Sequence, residues 1–170
     1  MKFILEPLTR HTVAPFSSGL QPLDDYFRNQ ALEDAHSGTA SVIVARSSTW
    51  PGKILGFYTL AAASLDVDGH PGITAHADSS PGPIPAVLME RFALDPSAHD
   101  QGVGELLLVN ALLRAYKAPL GWKVFLGNAV HEKLEHFFRF FGFLPLSPHS
   151  PSLLWLTRRE VHKLPGARTE

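Results

Sequence analysis

The sequence predicts an α/β fold with mixed sheet pairing, and three observations carry that expectation. An apolar run at 86–94 reads as a strand, and a run of helical period at 103–116 follows it across Gln101-Gly102-Val103-Gly104. A second stretch of helical period, 131–141, follows another short apolar run at 122–126. Ahead of these, apolar runs at 40–46 and 53–63 flank Trp50-Pro51-Gly52, the pattern of a hairpin.

The elements follow in order. Residues 2–5 read as a short first strand. Residues 20–36 read as one amphipathic helix, because Leu23, Tyr26, Phe27, Gln30 and Ala31 recur at spacings of three and four; Ser37-Gly38 closes it. The hairpin comes next. A long segment at 66–85, rich in Gly, Pro, His, Asp and Ser, reads as a loop of the length that usually carries function. Residues 86–94 form the central strand, 102–118 the central helix and 122–126 the next strand. In the helix 131–141, Leu134, Phe137, Phe138 and Phe141 make an apolar face, and Gly142 stands where a cap belongs. Strands at 143–146 and 152–157, split by Pro145, Pro148 and Pro151, complete the sheet. No repeat or boundary interrupts the 170 residues, which read as a single domain.

Composition narrows the function. Hydrophobic residues make up 45% and charged residues 18%, values of a chain that buries a core rather than staying disordered. There is no cysteine, which excludes disulfides and thiolate metal sites. The histidines show no ligand spacing: His131 and His136 share no close helix face, and His70, His76 and His149 stand among prolines and glycines, so no metal is expected. A net charge of -1 argues against a general nucleic-acid binder. Arg139, Arg158, Arg159, Lys163 and Arg168 are left either as a local basic face or as a solvated C-terminal surface. No apolar run approaches the ~18 residues of a membrane span. Residues 1–7 are too short and too soon interrupted for a signal peptide, so a cytoplasmic protein is expected.

The turn at 101–104 is where chemistry is expected. The first N–H groups of a helix have no carbonyl partner, and the dipole places partial positive charge there. Such a terminus suits a phosphate or pyrophosphate, and glycine lets the anion approach the backbone. The alternative reading of two glycines before a helix is a tight turn with no ligand.

Leu94-Asp95-Pro96, the turn itself and Phe137-Phe138-Arg139-Phe140-Phe141-Gly142-Phe143 resemble the GNAT superfamily of acetyl-CoA-dependent N-acetyltransferases. Gly19-Leu20-Gln21-Pro22-Leu23-Asp24-Asp25-Tyr26-Phe27, Gly56-Phe57-Tyr58-Thr59-Leu60 and Pro83-Ile84-Pro85 followed by Glu90-Arg91-Phe92-Ala93-Leu94-Asp95 are similar to one branch of it. That branch is the GNAT-fold toxins of bacterial toxin–antitoxin pairs, which acetylate the amino group of aminoacyl-tRNA. The resemblance implies a GNAT fold: a mixed, mostly antiparallel central sheet flanked by helices, with a splayed central strand and a phosphate-binding strand–turn–helix. It implies acetyl-CoA as co-substrate, an amine acceptor that is aminoacyl-tRNA in the toxin branch, a ribbon-helix-helix antitoxin and a homodimer, with no metal and no membrane.

The resemblance also assigns roles. The backbone of Phe92, Ala93 and Leu94 would hold the pantetheine, with an N–H, placed at Phe92, facing the thioester oxygen. The amides of Gln101, Gly102, Val103, Gly104 and Glu105 would hold the pyrophosphate, and Phe138 would flank the cofactor; His131 would either contact it or be simply a polar residue at a helix start. Glu90 is the candidate base, with an ion pair as its alternative; strand alternation would set it on one face with Phe92 and Leu94, amid apolar residues. Two positions depart from the family. His99 and Asp100 stand where the turn normally has Arg or Gln and then glycine. Phe138 stands where a tyrosine protonates the leaving thiolate. Three readings remain at this point: an acetyltransferase for aminoacyl-tRNA, an acetyltransferase for a small amine or protein lysine, and a catalytically weak or inactive acyl-CoA-binding or interaction protein.

Overall fold

The computed structural model describes residues 2–10, 12–50, 52–66, 82–147 and 150–167. Most of the predicted loop 66–85, together with Pro51, His70, His76, Pro148, His149 and Arg168, lies outside the described residues. In chain order the elements are β1 (Phe3–Pro7), α1 (Gln21–Asn29), α2 (Ala31–Ser37), β2 (Ser41–Ser47), β3 (Ile54–Leu65), β4 (Ile84–Met89), β5 (Phe92–Leu94), α3 (Val103–Lys117), β6 (Val124–Asn128), α4 (Glu132–Phe140), β7 (Leu144–Ser147), β8 (Ser150–Thr157) and α5 (Arg158–His162). The chain divides into two compact units: Met1–Ala61 with Arg91–Ala111, and Ala62–Glu90 with Leu112–Glu170.

In the first unit β2 pairs antiparallel with β1 and β3, and β5 pairs antiparallel with β3. α1 and α2 lay Leu23, Tyr26, Phe27 and Ala31 against Val42, Val44, Ile54 and Phe57. The Phe57 ring gathers this core, with Phe27 at 4.8 Å and Phe16 edge-on at 5.3 Å. Offset and edge-on aromatic pairs of this kind add to what burial alone contributes.

The single helix expected at 20–36 is in fact two. Gln30 leaves the helical region at φ -129° and ends α1, its N–H still bonded to Tyr26 O at 2.9 Å. Asp34 holds the bend by accepting from the Tyr26 hydroxyl at 2.8 Å and from Gln30 Nε2 at 2.9 Å. Ala31 is fully buried, so the apolar period runs through the bend and conceals it. At the other end of α1, Asp24 accepts from the Ser18 N–H and hydroxyl at 2.7 Å each, and from the Ser17 hydroxyl and Gly19 N–H. Burial pushes this carboxyl up, and those donors together outweigh it, so Asp24 ionises below its usual range.

In the second unit β4 and β6 are parallel, β6 and β8 antiparallel, and β8 and β7 antiparallel. Leu65, Ile84, Ala86, Val124, Leu126, Leu146 and Trp155 form its core. The C-terminal turn of α3 is satisfied by the buried Trp122, whose indole N–H donates to Ala115 O at 2.7 Å. Thr157 caps α5, a helix that the sequence pattern did not announce. The first unit's pairs are all antiparallel and the second adds one parallel pair, so the chain has the mixed, mostly antiparallel sheet with flanking helices that was expected.

The strand expected at 86–94 is two strands. β4 follows β6 as far as the pair Met89↔Gly127, whereas residues 92–94 pair with β3. The break falls at Glu90 and Arg91. The apolar run is compatible with one strand or two; the loss of β6 as a partner after Met89 decides between them.

Candidate active site

β5 is three residues long and is held closely to β3, with registers Gly56↔Leu94, Phe57↔Ala93 and Tyr58↔Phe92. The closeness depends on Gly56. A Cβ there would lie 2.8 Å from Ala93 O, Leu94 Cδ2 and Leu107 Cδ1 at once. Tyr58 ties β3 to α3 by donating its hydroxyl to Asn110 Oδ1 at 2.6 Å.

From β5 the chain enters a 3-10 turn at Pro96–Ala98. Asp95 organises it, accepting from Ser97 N–H at 2.8 Å and from the Ser97 hydroxyl at 2.6 Å. Lys53 adds an ion pair at 3.3 Å. Burial pushes the Asp95 carboxyl up, but Ser97 and Lys53 outweigh it and hold it below the usual carboxylate range. Asp95 N–H is bonded to Leu55 O at 2.9 Å, which fixes the turn to the edge of β3.

Asp100 then adopts φ 59°, the left-handed region, and Gly102 follows at φ 78°. That explains why the resembling family has glycine at the position of Asp100. An L side chain is strained there, and aspartate is among the few that tolerate it. Gly102 O accepts from Leu106 N–H at 3.1 Å, so Gly102 precedes the helix and α3 begins at Val103, one residue later than expected. Gln101 N–H is already directed to Ala98 O at 3.4 Å. The donors left to a ligand are the amides of Gly102, Val103, Gly104 and Glu105, at and just inside the start of α3. A Cβ built on Gly102 would meet nothing within 4 Å, so the space over the turn is open. Convergent amides, a helix dipole and open space fit a pyrophosphate.

Glu90 is exposed rather than set amid apolar residues. The strand break is the reason: once β4 ends at Met89, alternation no longer carries Glu90 onto the face of Phe92. Phe92 and Ala93 are buried and Leu94 is half-buried. Next to Glu90, Arg91 lays its guanidinium 3.7 Å from the centre of the Tyr26 ring and donates its N–H to Thr59 Oγ1.

In the second unit α4 carries the other candidates. His131 is its N-cap, its Nδ1 accepting from Leu134 N–H at 3.1 Å. Phe138 is fully buried, stacked on Phe143 at 5.2 Å. Its Cε2 would lie 3.1 Å from a Cβ at Gly127, a contact tight enough that a larger residue on β6 would push this ring by a few tenths of an ångström. The helix ends in a Schellman motif: Phe143 N–H donates to Phe138 O and Gly142 N–H to Arg139 O, with Gly142 at φ 92°. Gly-Phe after this helix is therefore a capping device as well as a family mark.

The proposed basic face is largely committed elsewhere. Arg139 pairs with Glu135 at 3.0 Å and Lys163 with Glu160 at 2.8 Å. Arg158 packs over Tyr116 and Trp122 and donates to Tyr116 O. Among the described residues no group of three or more His, Asp or Glu side chains could hold a metal ion. No described helix is long and apolar enough to cross a membrane.

A strand leading through a glycine turn into an amide-exposing helix, and an aromatic helix closed on Gly-Phe, are the elements that the resemblance to GNAT-fold acetyltransferases led one to expect. Solved structures agree on that fold. A Tyr-to-Phe mutant of KacT matches with TM-score 0.84 at 22% identity, covering 96% of this chain and 99% of that one. AtaT complexed with acetyl-methionyl-tRNA matches with TM-score 0.82 at 21% identity, covering 95% and 98%. Other AtaT structures of this fold carry acetyl-CoA or the C-terminus of the antitoxin AtaR. A tRNA-acetylating toxin from Mycobacterium tuberculosis is 32% identical over 157 residues, 91% of this chain and 90% of the relative. The chain belongs to the family of these tRNA-acetylating toxins. No protein-family model matches it.

Proposed function

We propose that this chain is an N-acetyltransferase toxin that transfers the acetyl group of acetyl-CoA to the amino group of an aminoacyl-tRNA. The observation that carries this reading is the relationship, along nearly the whole chain, to a tRNA-acetylating toxin. The open turn before α3 supports it. Acetyl-CoA supplies an activated thioester; the amine forms a C–N bond to the acetyl carbon as the C–S bond breaks. Of the protons leaving the ammonium, one goes to the thiolate and one to solvent. The amides of Gly102, Val103, Gly104 and Glu105 bind the pyrophosphate, with Gly102 also clearing the approach. The backbone of Phe92, Ala93 and Leu94 orients the pantetheine, and an amide of that stretch stabilises the oxyanion. Glu90, being exposed, takes the ammonium proton directly or through water. The whole chain acts as one acetyltransferase domain, in the cytoplasm, as a homodimer restrained by a ribbon-helix-helix antitoxin.

A second reading, an acyl-CoA-binding protein with weak or no turnover, is favoured by one specific observation: Phe138, at the acid position, is buried and has no proton to give. Labelled acetyl-CoA and charged tRNA distinguish the two. The transferase reading expects label on tRNA that is lost when the aminoacyl ester is hydrolysed, and none on uncharged tRNA. Label on protein lysines, or acetyl-CoA binding without transfer, would reject it.

A further inference from the structure

We propose that Trp50, Lys53 and Ser97 form the seat for the 3′-phosphoadenosine end of acetyl-CoA. This rests on acetyl-CoA being the donor. The three residues lie together at the end of the β2–β3 hairpin: Lys53 Nζ is 2.8 Å from Ser97 Oγ and 5.5 Å from the centre of the Trp50 ring. Their position follows from the backbone. Leu94 pairs with Gly56, and Asp95 N–H bonds Leu55 O, so Lys53 lies beside the chain just after β5. Ser97 lies inside the Pro96–Ala98 turn, whose Ala98 O accepts from Gln101 N–H. A cofactor whose pantetheine runs along Phe92 to Leu94 and whose pyrophosphate meets the α3 amides has its nucleotide left to place beyond them. The hairpin end stands on that side.

The chemistry matches the fragment. Adenine needs a flat apolar face, and Trp50 is 67% exposed, with the Lys53 ammonium to one side of its ring. The 3′-phosphate needs a fixed cation. Lys53 is fixed by Asp95 and Ser97, its side chain is 29% exposed, and an ammonium has three donors, of which these contacts use two. Ser97 Oγ gives its proton to Asp95 Oδ1 and so accepts from Lys53, which leaves the third donor for a ligand. The turn itself has His99 in place of the resembling family's Arg or Gln and a carboxylate, Asp100, in place of its glycine; Lys53 supplies positive charge from a neighbouring hairpin.

Calorimetric titration of the whole protein with coenzyme A and with 3′-dephospho-coenzyme A tests this. Wild type should bind the dephospho form about fivefold more weakly, and the gap should narrow with salt. Lys53→Gln should bring the ratio of the two affinities to near one. Loss of the Asp95 anchor alone would weaken both ligands equally and keep the ratio. Trp50→Ala should weaken both by about fivefold or more and keep the ratio. A wild type that does not distinguish the two ligands, a ratio unchanged in Lys53→Gln, or affinities unchanged in Trp50→Ala would overturn the seat and leave the acetyltransferase reading standing. If neither ligand binds wild type, both fail.

Discussion

Phe138 and Asp100 are two positions at which the chain departs from the pattern it resembles. Phe138 stands where that pattern has its acid, and its ring is buried between Phe143 and the glycine of β6. Phe138→Tyr is expected to raise the acetylation rate about tenfold or more if the hydroxyl reaches the thiolate. It should also cost about 1–3 kcal/mol of stability if the hydroxyl lacks a partner. Stopped-flow thiol release, read beside a denaturant midpoint, checks both; an unchanged rate would mean another group delivers the proton. Asp100 poses a different question, since it combines a carboxylate beside an anion site with a left-handed backbone. Asp100→Gly should tighten coenzyme A and gain roughly 1 kcal/mol from relieved strain. Asp100→Ala should tighten the ligand without that gain. Titration calorimetry and thermal melts separate the two effects. Both departures were legible in the sequence, because residue identity at a motif position is all they required. The strain at Asp100 and the closed packing around Phe138 were not, because neither a dihedral angle nor a packed ring is written in a residue type.

The elements that build the site depend on one close approach. Gly56 lets β5 and α3 come together over β3, and no side chain fits there. Gly56→Ala should cost about 1–3 kcal/mol by overpacking and weaken coenzyme A by moving β5 and the turn. A variant as stable and as avid as wild type, by melt and titration, would remove Gly56 from this role. The strand–turn–helix at 86–117 was legible because glycines separate two apolar runs of different period. The break in the strand was not read there, although Glu90 and Arg91 put two charged residues side by side in the apolar run; the loss of β6 as a partner beyond Met89 reveals it. The bend at Gln30 was hidden likewise, since Ala31 stays buried on either side of it. α5 escaped notice because Arg158, Arg159, Glu160 and His162 surround a single buried Val161.

Acid should loosen the protein through two identified carboxylates. Asp24 and Asp95 both ionise more readily folded than unfolded. Their contribution is complete above the unfolded value near ~3.9 and is lost as pH falls through the lower folded values. A urea midpoint followed from neutral pH down to about 2 should therefore fall below about 4–5, and less steeply in a variant carrying Asp24→Asn and Asp95→Asn. Equal slopes would place the acid sensitivity elsewhere. The partition of the chain also has a consequence in time. The first unit uses nothing beyond Ala111, and it skips residues 62–90. During synthesis those residues emerge early, and β4 has its neighbour β3 at hand, yet its other neighbour, the parallel β6, has still to leave the ribosome. Meanwhile β5 finds β3 already made. Domains and subdomains fold as their contacts become available. A nascent chain stalled just after Ala111 clears the exit tunnel should already protect β1–β3 and β5 from protease while β4 is cut. Birth order, rather than stability, would then decide which half of the protein exists first.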